Sequence, residues 1–201
     1  MKKFRKLSLV AMALLFAIPF FNSCKKGDDD PFFSIHTRKA RLVGEWKMTQ
    51  GKIVQSYTGY GSGISTITFN NGTYTVTRGG DSYSGTYIFD VTIEKTGAFT
   101  QTISTTVSGS TDVITEEGTW FFLSKNKEAD LKNKEAVAFQ TNKTTESYDG
   151  QTLVTTETGG ELVVYIITQL KNKEILMKRD YSYNETTNNE TESEEYTLTL
   201  K

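Results

Sequence analysis

Few side chains in this 201-residue chain are equipped for covalent or acid–base chemistry, and each stands nearly alone. Cys24 is the one cysteine, a nucleophilic thiol with no second thiol to bridge to. His36 is the one histidine, in the approach to the main domain, and reads as a solvated residue. A zinc centre or an activated thiol needs several such groups gathered together, which this composition does not supply. Carboxylates are plentiful. Glu116-Glu117 abut a glycine, and Glu185, Glu190, Glu192, Glu194 and Glu195 are interleaved with Asn184, Asn188 and Asn189. Oxygen-rich runs of this kind can take calcium, but the spacing matches no EF-hand loop. The expectation is a turn for the first group and a solvated hairpin loop for the second. Catalysis needs a nucleophile with its base, a metal cluster, or carboxylates paired in a pocket. The expectation is therefore a protein that is not an enzyme, with no catalytic residue, no metal and no cofactor.

The thiol has a context. Lys2, Lys3, Arg5 and Lys6 precede an apolar stretch over residues 7–21. A basic head followed by an apolar run of about 15 residues is the secretory signal pattern. Crossing a hydrocarbon core takes about 20 apolar residues, and Pro19 interrupts the stretch near its end. The run closes on Phe21-Asn22-Ser23-Cys24, which resembles the lipobox of bacterial lipoproteins. That resemblance implies cleavage after residue 23 and acyl chains on Cys24, the partner being a membrane. Each buried methylene contributes roughly 0.8 kcal/mol, so one chain anchors marginally and two hold firmly. Lys25-Lys26-Gly27-Asp28-Asp29-Asp30 follows as a polar tether. Its acidic run also resembles the signal by which some Gram-negative groups send lipoproteins outward. The expected location is the outer membrane, lipid-anchored on the periplasmic face or the cell surface, with a lean to the surface.

Behind such an anchor, composition bounds what must position any site. Without the first 23 residues and their four cations, 19 cationic side chains face 24 acidic ones, a formal net of −5. No concentrated basic patch remains, which excludes nucleic acid as a partner. The remaining 178 residues hold 31 threonines and one proline, Pro31, and are rich in tyrosine and phenylalanine. Threonine and aromatic residues suit a pleated, half-buried surface. A chain of this size buries roughly 70% of its extended surface, enough for one core.

From Leu42 onward the hydrophobic period is two. Ile67 and Phe69 share a face against Thr66 and Thr68, and Tyr74 and Val76 alternate with Thr73, Thr75 and Thr77. Asn71-Gly72 between these runs predicts a type I′ hairpin, whose two central residues need positive φ. Tyr83, Tyr87 and Phe89 line another strand, Ile103 and Val107 a further one, and Tyr196, Leu198 and Leu200 the last. Trp120-Phe121-Phe122-Leu123 and residues 162–167 are apolar on both faces, which predicts a cover on the outside as well, with residues 32–35 the candidate. The segment from Asp28 to Arg41 reads as a short helical or irregular piece laid against the domain with its cations outward. About ten strands without a long helix argue for a closed barrel or a sandwich.

Gly44-Glu45-Trp46 opens the first strand, followed by Phe69-Asn70-Asn71-Gly72-Thr73-Tyr74, Gly85-Thr86-Tyr87 and Gly118-Thr119-Trp120. This succession behind a lipobox resembles the lipocalin-like lipoproteins of Gram-negative bacteria. The resemblance implies an all-β fold, a single antiparallel calycin-type barrel of about 8–10 strands. The organisation is then a signal peptide over residues 1–23, a lipidated tether and approach segment over 24–39, and the barrel domain over 40–201. It also implies that Trp46 plugs the closed end under a late arginine, for which Arg179 is the one candidate. The expected function is binding of a small apolar ligand in or at the mouth of the barrel. Trp46, Phe69, Tyr74, Tyr87, Phe89 and Trp120 are then the interior residues, either lining a void or filling it. The alternative is an envelope interaction scaffold with a solid core. Residues 95–118, 142–160 and 184–194 would then be long loops or projecting strands that contact a protein or glycan.

Overall fold

Alternation of period two becomes eleven antiparallel strands in the computed structural model, which describes residues 36–58, 62–184 and 189–201. A short helix α1 (Arg38–Leu42) leads into β1 (Gly44–Thr58), β2 (Gly63–Asn70), β3 (Thr73–Arg78) and β4 (Asp81–Ile93). Next come β5 (Ala98–Val107), β6 (Ser110–Phe122), β7 (Ala136–Tyr148) and β8 (Gln151–Thr156). The chain ends with β9 (Leu162–Leu170), β10 (Glu174–Asn184) and β11 (Asn189–Leu200). Ten of these close into a barrel in the circuit β1-β2-β3-β4-β5-β6-β7-β9-β10-β11-β1, and β8 extends outward from β7. Closure removes the unpaired edges that an open antiparallel sheet would expose.

The barrel changes girth along its axis. At one end β1 pairs directly with β4, Gly44 to Lys47 against Ile93 to Asp90, so that eight strands close the circuit. Further along, the β2–β3 hairpin enters between them and the circuit widens to ten. The tip of that hairpin is Asn71-Gly72, with φ of 46° and 86°, as a type I′ turn requires. Its backbone is stitched into both neighbours: Asn71 N–H donates to the Thr49 carbonyl at 2.8 Å, and the Gly72 carbonyl accepts from Tyr87 N–H at 2.9 Å. The turn thus sits within the wall.

The narrow end is the apolar plug. Leu42, Trp46, Ile93, Phe99, Val137, Ile167, Leu170, Ile175 and Leu198 are all at most 2% exposed. The Trp46 indole N–H donates to the Leu42 carbonyl at 2.8 Å, satisfying the polar atom of a wholly buried ring. Helix α1 lies across this end, capped by Thr37, whose hydroxyl accepts from Ala40 N–H. Of its cations Lys39 faces outward as expected, but Arg38 and Arg41 do not. Arg38 and Arg41 are buried and donate to the carbonyls of Ile167 and Leu170, tying the helix to β9. Arginine serves here because its stem packs on apolar surface while its fork reaches backbone oxygen. Arg179 is not the arginine over Trp46. It is in register with Glu194 and Ile53, seven residues along β1 from Trp46, or about 23 Å at a strand's rise per residue.

Two other expectations change. Phe121 and Leu162 are 44% and 52% exposed, so the strands that are apolar on both faces lack a complete outer cover. The proposed cover, residues 32–35, lies outside the described residues. The inner faces of these strands, with Trp120, Phe122, Tyr165 and Ile167, account for their packing, and scattered apolar residues on an outer surface are ordinary. Glu116 and Glu117 are not at a turn but within β6, beside a bulge where the β6–β7 register shifts between Glu117 and Gly118. A Cβ at Gly118 would lie 2.0 Å from the Gln140 carbonyl oxygen, so the crossing admits only glycine.

At the wide end the wall is interrupted. The β9–β10 ladder ends at Lys178 and Ile166, and the β7–β9 ladder ends at Gln140 and Leu162. Beyond that point β7 pairs with β8 instead, and no ladder joins β8 to β10 among the described residues. The wide end therefore opens sideways between β9 and β10.

Candidate functional site

The inner wall is legible from register. Down β11, Glu190, Glu192, Glu194, Tyr196 and Leu198 share one face, since alternate residues of a strand do so. Across β1 they meet Tyr57, Gln55, Ile53, Gly51 and Met48, and across β10 Glu194, Tyr196 and Leu198 meet Arg179, Met177 and Ile175. Leu198 and Ile175 belong to the core, so this face is the interior.

Midway up, aromatic rings from seven strands make a layer across the barrel. Phe69 and Tyr87 have centroids 4.6 Å apart, Tyr74 and Tyr87 6.4 Å, and Phe69 and Tyr196 6.3 Å. The chain of rings continues from Tyr196 to Tyr165 at 6.0 Å, to Phe139 at 6.4 Å, and to Phe99 at 5.1 Å. Tilted and edge-on pairs at these spacings are the favourable arrangements for ring quadrupoles. Gly51 makes room for the layer: a Cβ there would lie 2.9 Å from Tyr196 and 3.1 Å from Phe69.

Above this floor the wall turns polar. Glu194 is 6% exposed, and its Oε1 lies 3.9 Å from Arg179 Nη1. Its Oε2 is buried and has no hydrogen-bond partner. Glu192 Oε2 accepts from Gln55 Nε2 at 2.6 Å, and across the barrel Glu116 Oε2 accepts from Gln101 Nε2 at 2.9 Å. Burial raises the Glu194 carboxyl from 4.5 to about 7; a carboxyl–carboxyl hydrogen bond and repulsion from Glu192 add to this, and Arg179 opposes it. Burial, and then Glu161, raise Glu116. Burial and the nearby Glu194 also raise Tyr165 and Tyr196, and push Tyr87 up to about 12. Their phenols therefore stay neutral and keep an O–H to donate. Arg179 is raised as well, because Glu194 and Tyr165 outweigh the opposing effect of its burial.

The six aromatic residues expected in the interior occupy two levels. Trp46 and Trp120 are buried at the narrow end, where Trp120 Nε1–H donates to the Glu94 carbonyl at 2.8 Å. Phe69, Tyr74 and Tyr87 belong to the aromatic layer, and Phe89 packs partly buried against the core. They pack against one another and the core and form a floor. The groups above that floor were not expected there. Glu190, Glu192, Glu194 and Glu195 lie in β11, not in a solvated loop, and Glu185 lies outside the described residues. The signal was present: the alternation of Tyr196, Leu198 and Leu200, continued backward, places Glu194, Glu192 and Glu190 on the core side. Residues 98–122 and 136–156 form the strand pairs β5–β6 and β7–β8, the strand alternative offered for these stretches.

Recesses occur outside the floor as well. About 150 Å³ lies by the rim among Glu116, Thr144, Glu157 and Glu161. About 210 Å³ lies beside the inserted turn, lined by Met48, Gly72, Tyr87 and Phe89. About 320 Å³ forms a groove on the outer face, by Lys52, Leu176, Lys178 and Glu195. Among the described residues no group of three or more His, Cys, Asp or Glu side chains could hold a metal ion. No helix among them is long and apolar enough to cross a membrane. No family model, curated protein or solved structure matches the chain.

Proposed function

We propose that this chain is a lipocalin-like, lipid-anchored protein of the outer membrane that holds a small, largely apolar ligand in the wide mouth of its barrel. The observation that carries this reading is the division of the interior by the aromatic layer. Below it the barrel is packed solid. Above it Ile53, Ile67, Ile103 and Ile114 are only partly buried, on inner faces beside the polar groups of Gln55, Gln101 and Glu116. An apolar wall with a few convergent polar groups is the usual character of a ligand site, and an eight- to ten-strand barrel has the girth to hold one small molecule. The side opening between β9 and β10 offers a route in.

The anchor fits the same geometry. Helix α1 lies across the narrow end, so a tether running from Cys24 reaches the barrel on the side away from the mouth. Acyl chains on Cys24 would then hold the plugged end toward the bilayer and turn the mouth outward, whether into the periplasm or beyond the cell surface.

The test is native mass spectrometry on the full chain extracted from the envelope in mild detergent, followed by titration with an apolar fluorescent probe. A co-purifying small molecule or saturable probe uptake is expected, with uptake lost in Ile103→Trp, which fills the mouth. Absence of both, or uptake indifferent to Ile103→Trp, would rule the reading out.

A further inference from the structure

The carboxyl of Glu194 is placed where a stably folded barrel has no use for it. It is 94% buried on the residue scale, it stands on the ligand side of the aromatic floor, and one of its oxygens has no partner. An unsatisfied buried oxygen carries a desolvation cost that grows when the group is charged. The groups that face it do not neutralise it. From β10 comes Arg179, at the outer limit of ion-pair distance. From β9 comes Tyr165, from β4 Tyr87 and from β11 Tyr196, all neutral. From β1 come Ile53 and Gln55, and from β11 again Glu192, whose carboxylate is already held by Gln55. Across the barrel stands Glu116. With Arg78 over the Tyr57 ring and Glu190 in register with it at the rim, two guanidiniums stand against four carboxyls, which leaves the chamber short of positive charge.

We infer that the ligand of the barrel mouth carries an organic cation, a protonated amine seated between the Glu194 and Glu192 carboxyls and the rings of Tyr165, Tyr196 and Tyr87. This rests on the ligand-binding reading above and adds the chemistry of the ligand. An ammonium supplies the donor that Glu194 Oε2 lacks and balances the excess of carboxyls. The phenol oxygens of Tyr165 and Tyr196, within hydrogen-bond reach of Glu194, add acceptors for the ammonium, while the isoleucines above take its apolar body. A metal ion is the poorer candidate, since no three ligating side chains converge among the described residues. An anion is poorer still, because Arg179 is flanked by Glu194 and Glu192.

The experiment is a calorimetric titration of the full chain in mild detergent with three probes of one shape: 2-phenylethylamine, 2-phenylethanol and phenylacetate. The amine is expected to bind at least tenfold more tightly than either other probe. Glu194→Gln, which keeps the shape and removes the charge, is expected to erase that preference. Glu192→Gln, a second variant with the same aim, should weaken the amine at least threefold, and the near-ultraviolet circular dichroism of both variants reports an intact aromatic layer. Alcohol bound as well as amine would overturn the cation site and leave the ligand-binding reading standing. Amine preference that survives in both variants would overturn the assignment to Glu194 and Glu192. Silence of all three probes, in a chain that still takes up an apolar dye, would overturn the inference alone; silence of the dye as well removes both.

Discussion

Glu194 offers the sharpest physical test of the chamber, because its environment must show in the stability of the unliganded protein. Folding raises its carboxyl from the ordinary 4.5 to about 7. The folded state thus holds a proton that the unfolded chain releases. For such a group the stabilising contribution is fully present below about 4.5 and is lost as the pH rises through about 7. At 1.36 kcal/mol per pH unit the ceiling is about 3 kcal/mol. Arg179 opposes the shift, and we expect about half of that ceiling. Urea denaturation of a Cys24→Ser chain at pH 5 and pH 8.5 measures it, against a total of about 5–15 kcal/mol for a domain. Stability should fall by about 1–2 kcal/mol between the two. In Glu194→Gln the fall should shrink by that amount, because glutamine has no proton to lose, and what remains belongs to Glu116, which burial also raises. A flat profile in the parent chain, or a slope undiminished in the variant, would refute the reasoning.

Two further outcomes follow, one from the fold and one from the proposed anchor. Gly118→Ala should destabilise the barrel by about 2–4 kcal/mol in the same assay, because a Cβ 2.0 Å from the Gln140 oxygen must push two strands apart at the bulge. A loss under 0.5 kcal/mol would mean that the crossing is looser than described. Cells fed labelled palmitate should transfer label to the parent chain and none to Cys24→Ser, and equal labelling of both would dispose of the lipid anchor.

Much of the fold was legible because strands report themselves locally. The alternation at Ile67–Phe69 and Tyr74–Val76, with Asn71-Gly72 between, specified a hairpin that the structure contains, down to the sign of φ at both turn residues. Other features were invisible for a physical reason. That Arg38 and Arg41 turn inward depends on carbonyls of Ile167 and Leu170, 129 residues away in each case, and no local pattern encodes such a partner. The widening from eight strands to ten is equally non-local, since it arises where β1 leaves β4 and takes β2. The carboxyls were a different failure. Glu190, Glu192 and Glu194 keep the period of the strand that follows them, but a run of charge reads locally as a loop.

Those inward carboxyls point to what the chamber is. In a half-buried strand a charged residue at an inward position is costly unless it is paired. A sequence that only had to fold would place apolar residues at those positions, as β11 does at Leu198 and as β1 does at Ile53. Here the polar choice recurs on three walls, at Glu192 and Glu194 of β11, at Arg179 of β10, and at Gln101 and Glu116 of the β5–β6 pair. All of it lies above the aromatic layer, whereas the plug below is built from apolar side chains. Local rules of folding tend to be broken at functional sites, and the strain is carried by the rest of the structure. The solid plug at the narrow end is what lets this barrel tolerate an underneutralised carboxyl cluster in its wide end. A mouth of this composition is therefore better explained by what enters it than by what holds it together.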